Sequence, residues 1–426
     1  MTEASATSRG RYEIQASEWR PLLASAAAYF FLLGGYYMLR SLREAYALQV
    51  GRDNIDVLFY LTFLVMLVVL PAYWWLVATV TRGRLFAGVL TGIAALFLLL
   101  GLALRAAPDS RILAGCFFVA VTSMNLFLVS VFWSIMVDMW RSGAAKRLFG
   151  VIAAGGSVGA IAGPSFNALF VESVGTANVI FAACGMLLVA VFCGHLAQVW
   201  ASATESAAAR PDTIVGGRVL DDLKRLEHSP YLLAIGGLIV AGQVLGAFMY
   251  QEQARYVAEH YVSIESRAGL FAQIDLAVNL LALFVQVVVV GWLVARGGMR
   301  LSLSAVPLVL IASLVTLALF PLGAVLLVTQ VVRRAADYGL FKPTREMLFT
   351  VLNPESKFKS KSLLDTLLQR GGDSLGQGLY GFVAAFGLAV NAWICAVFSV
   401  VMFGVALWVG SQFSRSETAG RSGQLP

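Results

Sequence analysis

The stretch AKRLFGVIAAGGSVGAIAGP, from Ala145 to Pro164, carries two basic residues near its start and continues as an apolar run in which glycine recurs at positions 155, 159 and 163. A helix that crosses a bilayer needs about 20 mostly apolar residues. Small residues spaced four apart allow two such helices to approach closely in lipid. The stretch therefore predicts a membrane-spanning helix whose glycines pack against a neighbouring helix.

A similar order of features occurs near the other end of the chain. The stretch KFKSKSLLDTLLQRGGDSLGQGLYG, from Lys357 to Gly381, also places a Gly-Gly pair after a basic turn, and its Gly372 and Gly376 lie four residues apart. Repeated six-helix halves are typical of major-facilitator transporters. We therefore predict a chain built from two halves of repeated architecture.

The composition excludes a soluble globular protein. The 426-residue chain is 59% hydrophobic and 13% charged, whereas soluble domains are about 45–50% apolar and about 25% charged. We predict an all-α polytopic membrane protein with about twelve transmembrane helices in two six-helix halves, arranged as in major-facilitator proteins. The predicted spans are 20–44, 55–80, 85–105, 112–140, 147–171, 177–200, 231–256, 269–295, 301–320, 323–351, 362–387 and 389–411.

The polar segments predict the domain organisation and the orientation. Nineteen of the 31 lysines and arginines fall on segments assigned to the cytoplasm and four on the opposite side, so the positive-inside rule places both termini in the cytoplasm. This asymmetry accounts for the net charge of +7 without a nucleic-acid partner. The predicted parts are a cytoplasmic tail (1–19), an N-terminal half (20–200), a cytoplasmic linker (201–230), a C-terminal half (231–411) and a second cytoplasmic tail (412–426).

No pattern in the sequence points to catalysis, to a metal or to a cofactor. The four cysteines lie within apolar spans and form no C-x-x-C pair, which argues against disulfides and zinc. The three histidines lie near predicted span ends, and no nucleophile–base constellation is visible. We expect a protein that is not an enzyme, binds no metal and needs no cofactor.

Charged residues inside the predicted spans are the candidate functional residues. A charge at the centre of a bilayer costs on the order of 3 kcal/mol or more, so each must face a wet cavity or another charge. The tenth span contains VVRRAADYGLFKPTREMLF (331–349) and is the densest in charge. At about 100° per residue, Arg334, Tyr338 and Arg345 would share one helix face, with Lys342 about 40° further round.

Acidic residues in the same span could hold these cations in register. Asp337 is three residues after Arg334, and Glu346 is four residues after Lys342, both within helical pairing distance. Pro343 cannot donate its backbone hydrogen bond, which predicts a break in the helix. Transporters place binding sites at such broken helices.

Other spans add cations and acids. Arg40 and Arg43 are three residues apart, a spacing that suits a di- or polyanion because arginine binds phosphate and carboxylate oxygens in bidentate fashion. Anchoring at the membrane interface is the alternative for this pair. Arg370 can reach Asp373 on its own helix. A purely structural ion pair remains an alternative for each charged residue.

Two sets of candidate residues follow. The candidate substrate contacts are Arg40, Arg43, Arg334, Tyr338, Lys342, Arg345 and Arg370. The candidates for coupling or gating are Asp138, Lys146, Arg147, Glu252, Asp275, Asp337, Glu346, Asp365 and Asp373. The expected partner is a small anionic molecule, with a nucleotide as one candidate. The expected surroundings are the lipid bilayer, and the sequence leaves the oligomeric state open.

Several of these residues lie in stretches that resemble the ATP/ADP translocase family, the nucleotide carriers of plastids and obligate intracellular bacteria. The family's proline–threonine–basic–Glu–Met pattern is matched from Pro343 to Met347. Its spaced lysines and the following acid are matched by Lys357, Lys359, Lys361 and Asp365. Further matches are Arg40, Arg43 and Glu44 in the first helix, and Phe132, Trp133, Asp138, Ala145, Lys146 and Arg147 around the fourth-to-fifth-helix turn.

The resemblance spans most of the chain and is closest to the shorter bacterial relatives with major-facilitator architecture. It implies twelve helices, nucleotide exchange, phosphate-binding basic residues and a location in the bacterial inner membrane. The acid and the lysine on the seventh helix of nucleotide-exchanging members align with Ala247 and Gln251, so another phosphorylated or anionic solute is an alternative. Proton-coupled transport of a non-phosphorylated solute is a second alternative, and a non-transporting scaffold or sensor is a third.

Overall fold

A computed structural model describes residues 14–140, 142–203, 230–348 and 368–421, and its elements are helical throughout these ranges. This confirms the predicted all-α fold. The helices are α1 (Trp19–Val50), α2 (Ile55–Thr79), α3 (Arg82–Ala106), α4 (Arg111–Met139), α5 (Ser142–Val174), α6 (Thr176–Ala201), α7 (Pro230–His260), α8 (Ile264–Phe284), α9 (Val290–Leu319), α10 (Gly323–Ala336), α11 (Lys342–Leu348), α12 (Gln369–Val383) and α13 (Leu388–Arg421). Two π-helical turns, Val285–Val289 and Asp337–Phe341, join α8 to α9 and α10 to α11.

These helices accommodate the predicted membrane crossings. In the described ranges, nine stretches are long and apolar enough to span a bilayer. One of them, Ile264–Leu319, has 56 residues, enough for two crossings of about 20 residues each. Gly298 divides it, with a φ of 62° that glycine adopts without strain. The charged tenth span and the partly described eleventh complete the predicted set.

The chain forms two compact units. Unit 1 comprises Met1–Ile214 and Tyr261–Leu276, and unit 2 comprises Val215–His260 and Ala277–Pro426. The sequence had placed residues 261–276 in the C-terminal half, but the first part of α8 groups with unit 1 because its apolar side chains pack there. Ala268, for example, is fully buried in the core of unit 1.

Helix α1 is the centre of unit 1 and packs against α4, α5 and α6. Aromatic side chains fill its contact with α4. The ring of Tyr29 stacks on that of Phe132 with centroids 4.3 Å apart, and its hydroxyl accepts a hydrogen bond from the indole of Trp133 at 3.3 Å. These contacts fix one side of α1.

Glycines bring the backbone of α5 against the other side of α1. A methyl group on any of three α5 glycines would collide with a carbonyl oxygen of α1. The contacting pairs are Gly155 with Ala26, Gly159 with Phe30, and Gly163 with Gly34. We call this series the unit 1 glycine ladder. It confirms that the spaced glycines are packing residues.

Unit 2 contains a corresponding unit 2 glycine ladder between α12 and α7. A methyl group on Gly376 would lie 2.7 Å from Cβ of Ala247 and 2.8 Å from Cα of Val244. One on Gly372 would lie 3.0 Å from Cβ of Gln243. The repeated glycine spacing in the sequence therefore has the same structural use in both units.

The outward faces of several helices are apolar. Val68, Leu169 and Phe382 are 73%, 73% and 82% exposed. Exposed apolar surface of this extent is rare on soluble monomers and is expected where lipid surrounds the protein. The helices thus present hydrophobic surface to a bilayer and turn their polar residues inward.

We expect Gly159→Ala to lower the thermal unfolding midpoint of the detergent-solubilised protein. The added methyl group would force α1 away from α5, and overpacking of this kind costs about 1–3 kcal/mol. The matched control is Gly185→Ala on α6, where a methyl group meets no atom within 4 Å. That change should keep or raise the midpoint because alanine favours helix. Equal losses in the two variants would contradict the packing role.

Candidate functional site

Unit 1 carries a buried ion pair between α1 and α8. The Nε of Arg40 lies 3.7 Å from Oδ2 of Asp275, and the guanidinium lies over the ring of Tyr37, 5.3 Å from its centroid. Arg40 is 9% exposed and Asp275 is 2% exposed. Removing either charge would leave the other buried in a poorly solvated place. The structure thus brings a predicted substrate contact together with a predicted gating acid.

Arg43 lies one turn further along α1 and is also held by neighbours. It forms an ion pair with Glu44, donates to Oγ1 of Thr122 at 3.4 Å and lies 5.3 Å from the ring centroid of Phe118. Helix α1 continues to Val50, whereas the predicted span ended at residue 44. Arg43 therefore lies about two turns before the end of the helix.

The candidates near the start of α5 have different surroundings. Arg147 forms an ion pair with Glu18 at 2.6 Å, and Glu18 is fully buried just ahead of α1. Its second carboxylate oxygen accepts the backbone N–H of Gln15 at 2.9 Å. This contact ties the beginning of α1 to α5. Asp138 lies half-buried in the last turn of α4, and Lys146 lies in the first turns of α5.

In unit 2, the charged tenth span contains a π-helical turn just before Pro343, where its sequence predicts a break. The π turn Asp337–Phe341 is closed by a hydrogen bond from the backbone N–H of Lys342 to the carbonyl of Asp337. A π turn holds one residue more than an α turn. Residues beyond it are therefore rotated by about 100° relative to a continuous helix.

This rotation moves Arg345, which follows the π turn, away from the face that the sequence predicts for it alongside Arg334, which precedes the turn. Lys342 moves onto that face, and its Nζ lies 4.2 Å from the ring centroid of Tyr338. This contact fits the tendency of long helical side chains to point back towards the N-terminus.

Charged residues cluster around Arg333. Its charged or ionisable neighbours are Asp337, Arg334, Tyr338 and Asp373. Arg370 extends the cluster because its guanidinium lies 3.7 Å from the carboxylate of Asp373. With Lys342 against Tyr338, this Arg333 cluster contains four cations and two acids. Among the residues that the structure describes, this cluster thus has two more cations than acids.

A buried carboxylate joins three helices of unit 2. Glu252 of α7 is 3% exposed and accepts hydrogen bonds from the hydroxyl of Tyr380 at 2.9 Å and from Nδ2 of Asn391 at 2.5 Å. Arg255 lies 3.6 Å from the same carboxylate and donates to the carbonyl of Ala384 at 2.8 Å. Two hydrogen-bond donors and one guanidinium thus surround a single carboxylate.

The remaining candidate residues of unit 2 are Arg345 and Asp365. Arg345 is buried in α11, with 6% of its surface exposed. Asp365 lies outside the described residues, as do Lys357, Lys359 and Lys361.

The sequence missed several polar residues that the fold brings together. Gln330 donates to Oε1 of Gln253 at 2.7 Å and accepts from Nε of Arg333 at 2.9 Å. Asn391 donates to Glu252, and the fully buried Asn167 donates to α1. The three-residue spacing of Gln330 and Arg333 could have indicated their contact. The partners on other helices leave no local signal.

Part of the chain matches a known protein family. Residues 299–416 match the family model described as TLC ATP/ADP transporter. This range contains the helix with the π turn and the Arg333 cluster, and within it the match confirms the resemblance seen in the sequence; the resembling stretches around Arg40 and Asp138 lie outside it. The chain is a membrane transporter. A comparison with curated proteins gave no match.

Solved structures similar to this transporter share its fold. A bacterial homologue of the iron transporter ferroportin has 13% identity and a TM-score of 0.63, covering 94% of this chain and 100% of that one. A bacterial homologue of the human lysosomal transporter Spinster has 14% identity and a TM-score of 0.60, covering 95% and 99%. The nucleoside transporter NupG has 13% identity and a TM-score of 0.58, covering 93% and 99%. At these identities the likeness establishes the major-facilitator fold.

We expect Glu252→Ala to lower the free energy of unfolding of the transporter by about 3 kcal/mol, because it leaves a half-buried arginine without its counter-charge and two buried donors without their acceptor. The shift in thermal unfolding midpoint in detergent measures the effect. Glu259→Ala is the matched control, since Glu259 is exposed on the same helix. Similar midpoints for the two variants would contradict the role of Glu252 in joining the helices.

Proposed function

We propose that this transporter exchanges nucleotides, or a related phosphorylated organic anion, by alternating access in the inner membrane of a bacterium, with both termini in the cytoplasm. The observation that carries the proposal is the excess of cations in the Arg333 cluster. Most of that cluster lies on a helix interrupted by a π turn, and Arg370 and Asp373 lie on α12; all of it falls inside the range that matches the ATP/ADP transporter family. Broken helices are where transporters bind their substrates.

The chemistry of the cluster fits phosphate groups. Arg334 and Arg370 supply planar guanidinium groups, which bind phosphate oxygens in bidentate fashion. Lys342 supplies a compact charge on a flexible stem, and its contact with Tyr338 is a cation–π interaction that a stronger anionic partner can replace. A substrate with several negative charges matches a site with several cations better than a neutral solute does.

The acids in each unit have a corresponding role in this proposal. In unit 1, Arg40 and Arg43 are held by Asp275 and Glu44, and an incoming polyanion would compete for the same guanidinium groups. In unit 2, Asp373 holds Arg370 in the same way. Substrate binding would therefore open existing ion pairs, and substrate release would allow them to form again. Such a difference between bound and empty states is what a conformational cycle requires.

Exchange can be tested directly with the purified transporter in liposomes. We expect uptake of labelled ATP, or of another phosphorylated metabolite, when the liposomes contain an unlabelled counter-substrate such as ADP, and little uptake when they are empty. Failure to exchange any nucleotide or phosphorylated metabolite would contradict the proposal. Uptake driven by a pH gradient without counter-substrate would favour the proton-coupled alternative instead.

We expect Lys342→Gln to raise the KM for the exchanged anion about tenfold, since a charge-assisted hydrogen bond contributes about 1.5–3 kcal/mol. The measurement is the initial rate of exchange over a range of substrate concentrations. Lys342→Arg should restore part of the affinity because it keeps the charge. The matched control is Arg300→Gln, which removes an exposed cation near the start of the family match. An unchanged KM in Lys342→Gln would count against substrate contact.

A further inference from the structure

A hydrogen bond occupies the position that follows the last contact of the unit 1 glycine ladder. The contacts of the ladder advance by four residues on both α5 and α1, and the next pair in the series is Asn167 and Met38. At this step Nδ2 of Asn167 donates to the carbonyl oxygen of Met38 at 2.7 Å and to Oγ of Ser41 at 2.5 Å. Asn167 is fully buried. The ladder therefore ends in a polar contact, which the side chain of Asn167 makes with α1.

The unit 2 glycine ladder ends in a comparable way. Four residues after Gly376, the hydroxyl of Tyr380 donates to the carboxylate of Glu252 on α7 at 2.9 Å. The ring of Tyr380 packs edge-on against Phe248 of the same helix, with centroids 5.6 Å apart. In both units, the helix that carries the ladder glycines thus hydrogen-bonds its partner helix, α1 or α7, one step beyond the last glycine.

A polar contact at the end of each ladder affects the register of the two packed helices. Glycine contacts that repeat every four residues are similar at each step, so van der Waals packing alone discriminates weakly between registers of the two helices. A buried hydrogen bond is formed in one register and lost in the others, and single buried polar residues fix the register of packed helices in this way. The amide of Asn167 and the hydroxyl of Tyr380 meet this condition.

The hydrogen bonds made by Asn167 and Tyr380 lie next to charged residues of α1 and α7. Met38 and Ser41 flank Arg40 on α1, and the same turn leads to Arg43. In unit 2, Tyr380 contacts Glu252 itself. A slip of α1 to the next register of the ladder, four residues away, would carry Arg40 about 6 Å along the helix axis, away from its contact with α8.

We infer that Asn167 and Tyr380 are positioning residues, which set the register of α1 and α7 and so hold Arg40 and Glu252 in place. The part concerning Arg40 rests on its proposed contact with the transported anion. The part concerning helix register does not depend on the substrate.

The transport test compares Asn167→Leu with Asn178→Leu, in which an exposed asparagine loses a bond to the carbonyl of Val174. We expect Asn167→Leu to raise the KM for the exchanged anion about three- to tenfold, from the loss of hydrogen bonds in the membrane, while Asn178→Leu leaves it unchanged. A merely structural role would lower the amount of folded protein and leave KM unchanged, which would overturn the inference for Arg40.

A double-mutant cycle tests whether Asn167 acts through Arg40. The KM increases of Asn167→Leu and Arg40→Lys should combine to less than their product, because both changes disturb the same contact. Independent, multiplicative effects would contradict the proposed route.

Hydrogen–deuterium exchange tests the register without any substrate. In the full-length protein, amides of residues 36–46 should exchange faster in Asn167→Leu, and amides around Glu252 faster in Tyr380→Phe, with no change in Asn178→Leu. Unchanged exchange in the first two variants would overturn the inference. If the unmodified protein exchanges no phosphorylated anion, the proposed function fails, and the deuterium result still decides the positioning role.

Discussion

The close approach of two backbones in each unit is the contact on which the rest of the structure depends. In lipid, helices gain little by burying apolar side chains, so their association relies on tight packing and on hydrogen bonds. The ladder glycines on α5 and α12 allow this packing against α1 and α7. Because α1 and α7 also carry Arg40, Arg43 and Glu252, the positions of these charges follow from the glycine contacts.

The cost of charge in a bilayer then determines how the two units differ. In unit 1, Arg40 and Arg43 of α1 each have an acidic neighbour, Asp275 for Arg40 and Glu44 for Arg43. In unit 2 the Arg333 cluster contains more cations than acids. An excess of positive charge inside a bilayer is costly unless water or an anion compensates it. That excess is the physical basis for proposing a phosphorylated substrate.

The sequence predicted some features of the structure and left others open. The spans were predictable because bilayer thickness imposes a length and an apolar composition on every crossing helix. The break near Pro343 was predictable because proline lacks a backbone donor. The form of that break was not: a π turn changed the register, moved Lys342 onto Tyr338 and took Arg345 off the predicted face.

The sequence by itself determined that this is a helical membrane protein of repeated architecture with a translocase-like C-terminal part, because hydrophobic length, glycine spacing and local motifs are properties of neighbouring residues. Only the tertiary structure decided which charges meet. Arg40 and Asp275 are paired, and Asn167 is bonded to Met38, across distances along the chain that carry no periodic signal. Such contacts depend on how whole helices pack, and a residue's own neighbours do not specify them.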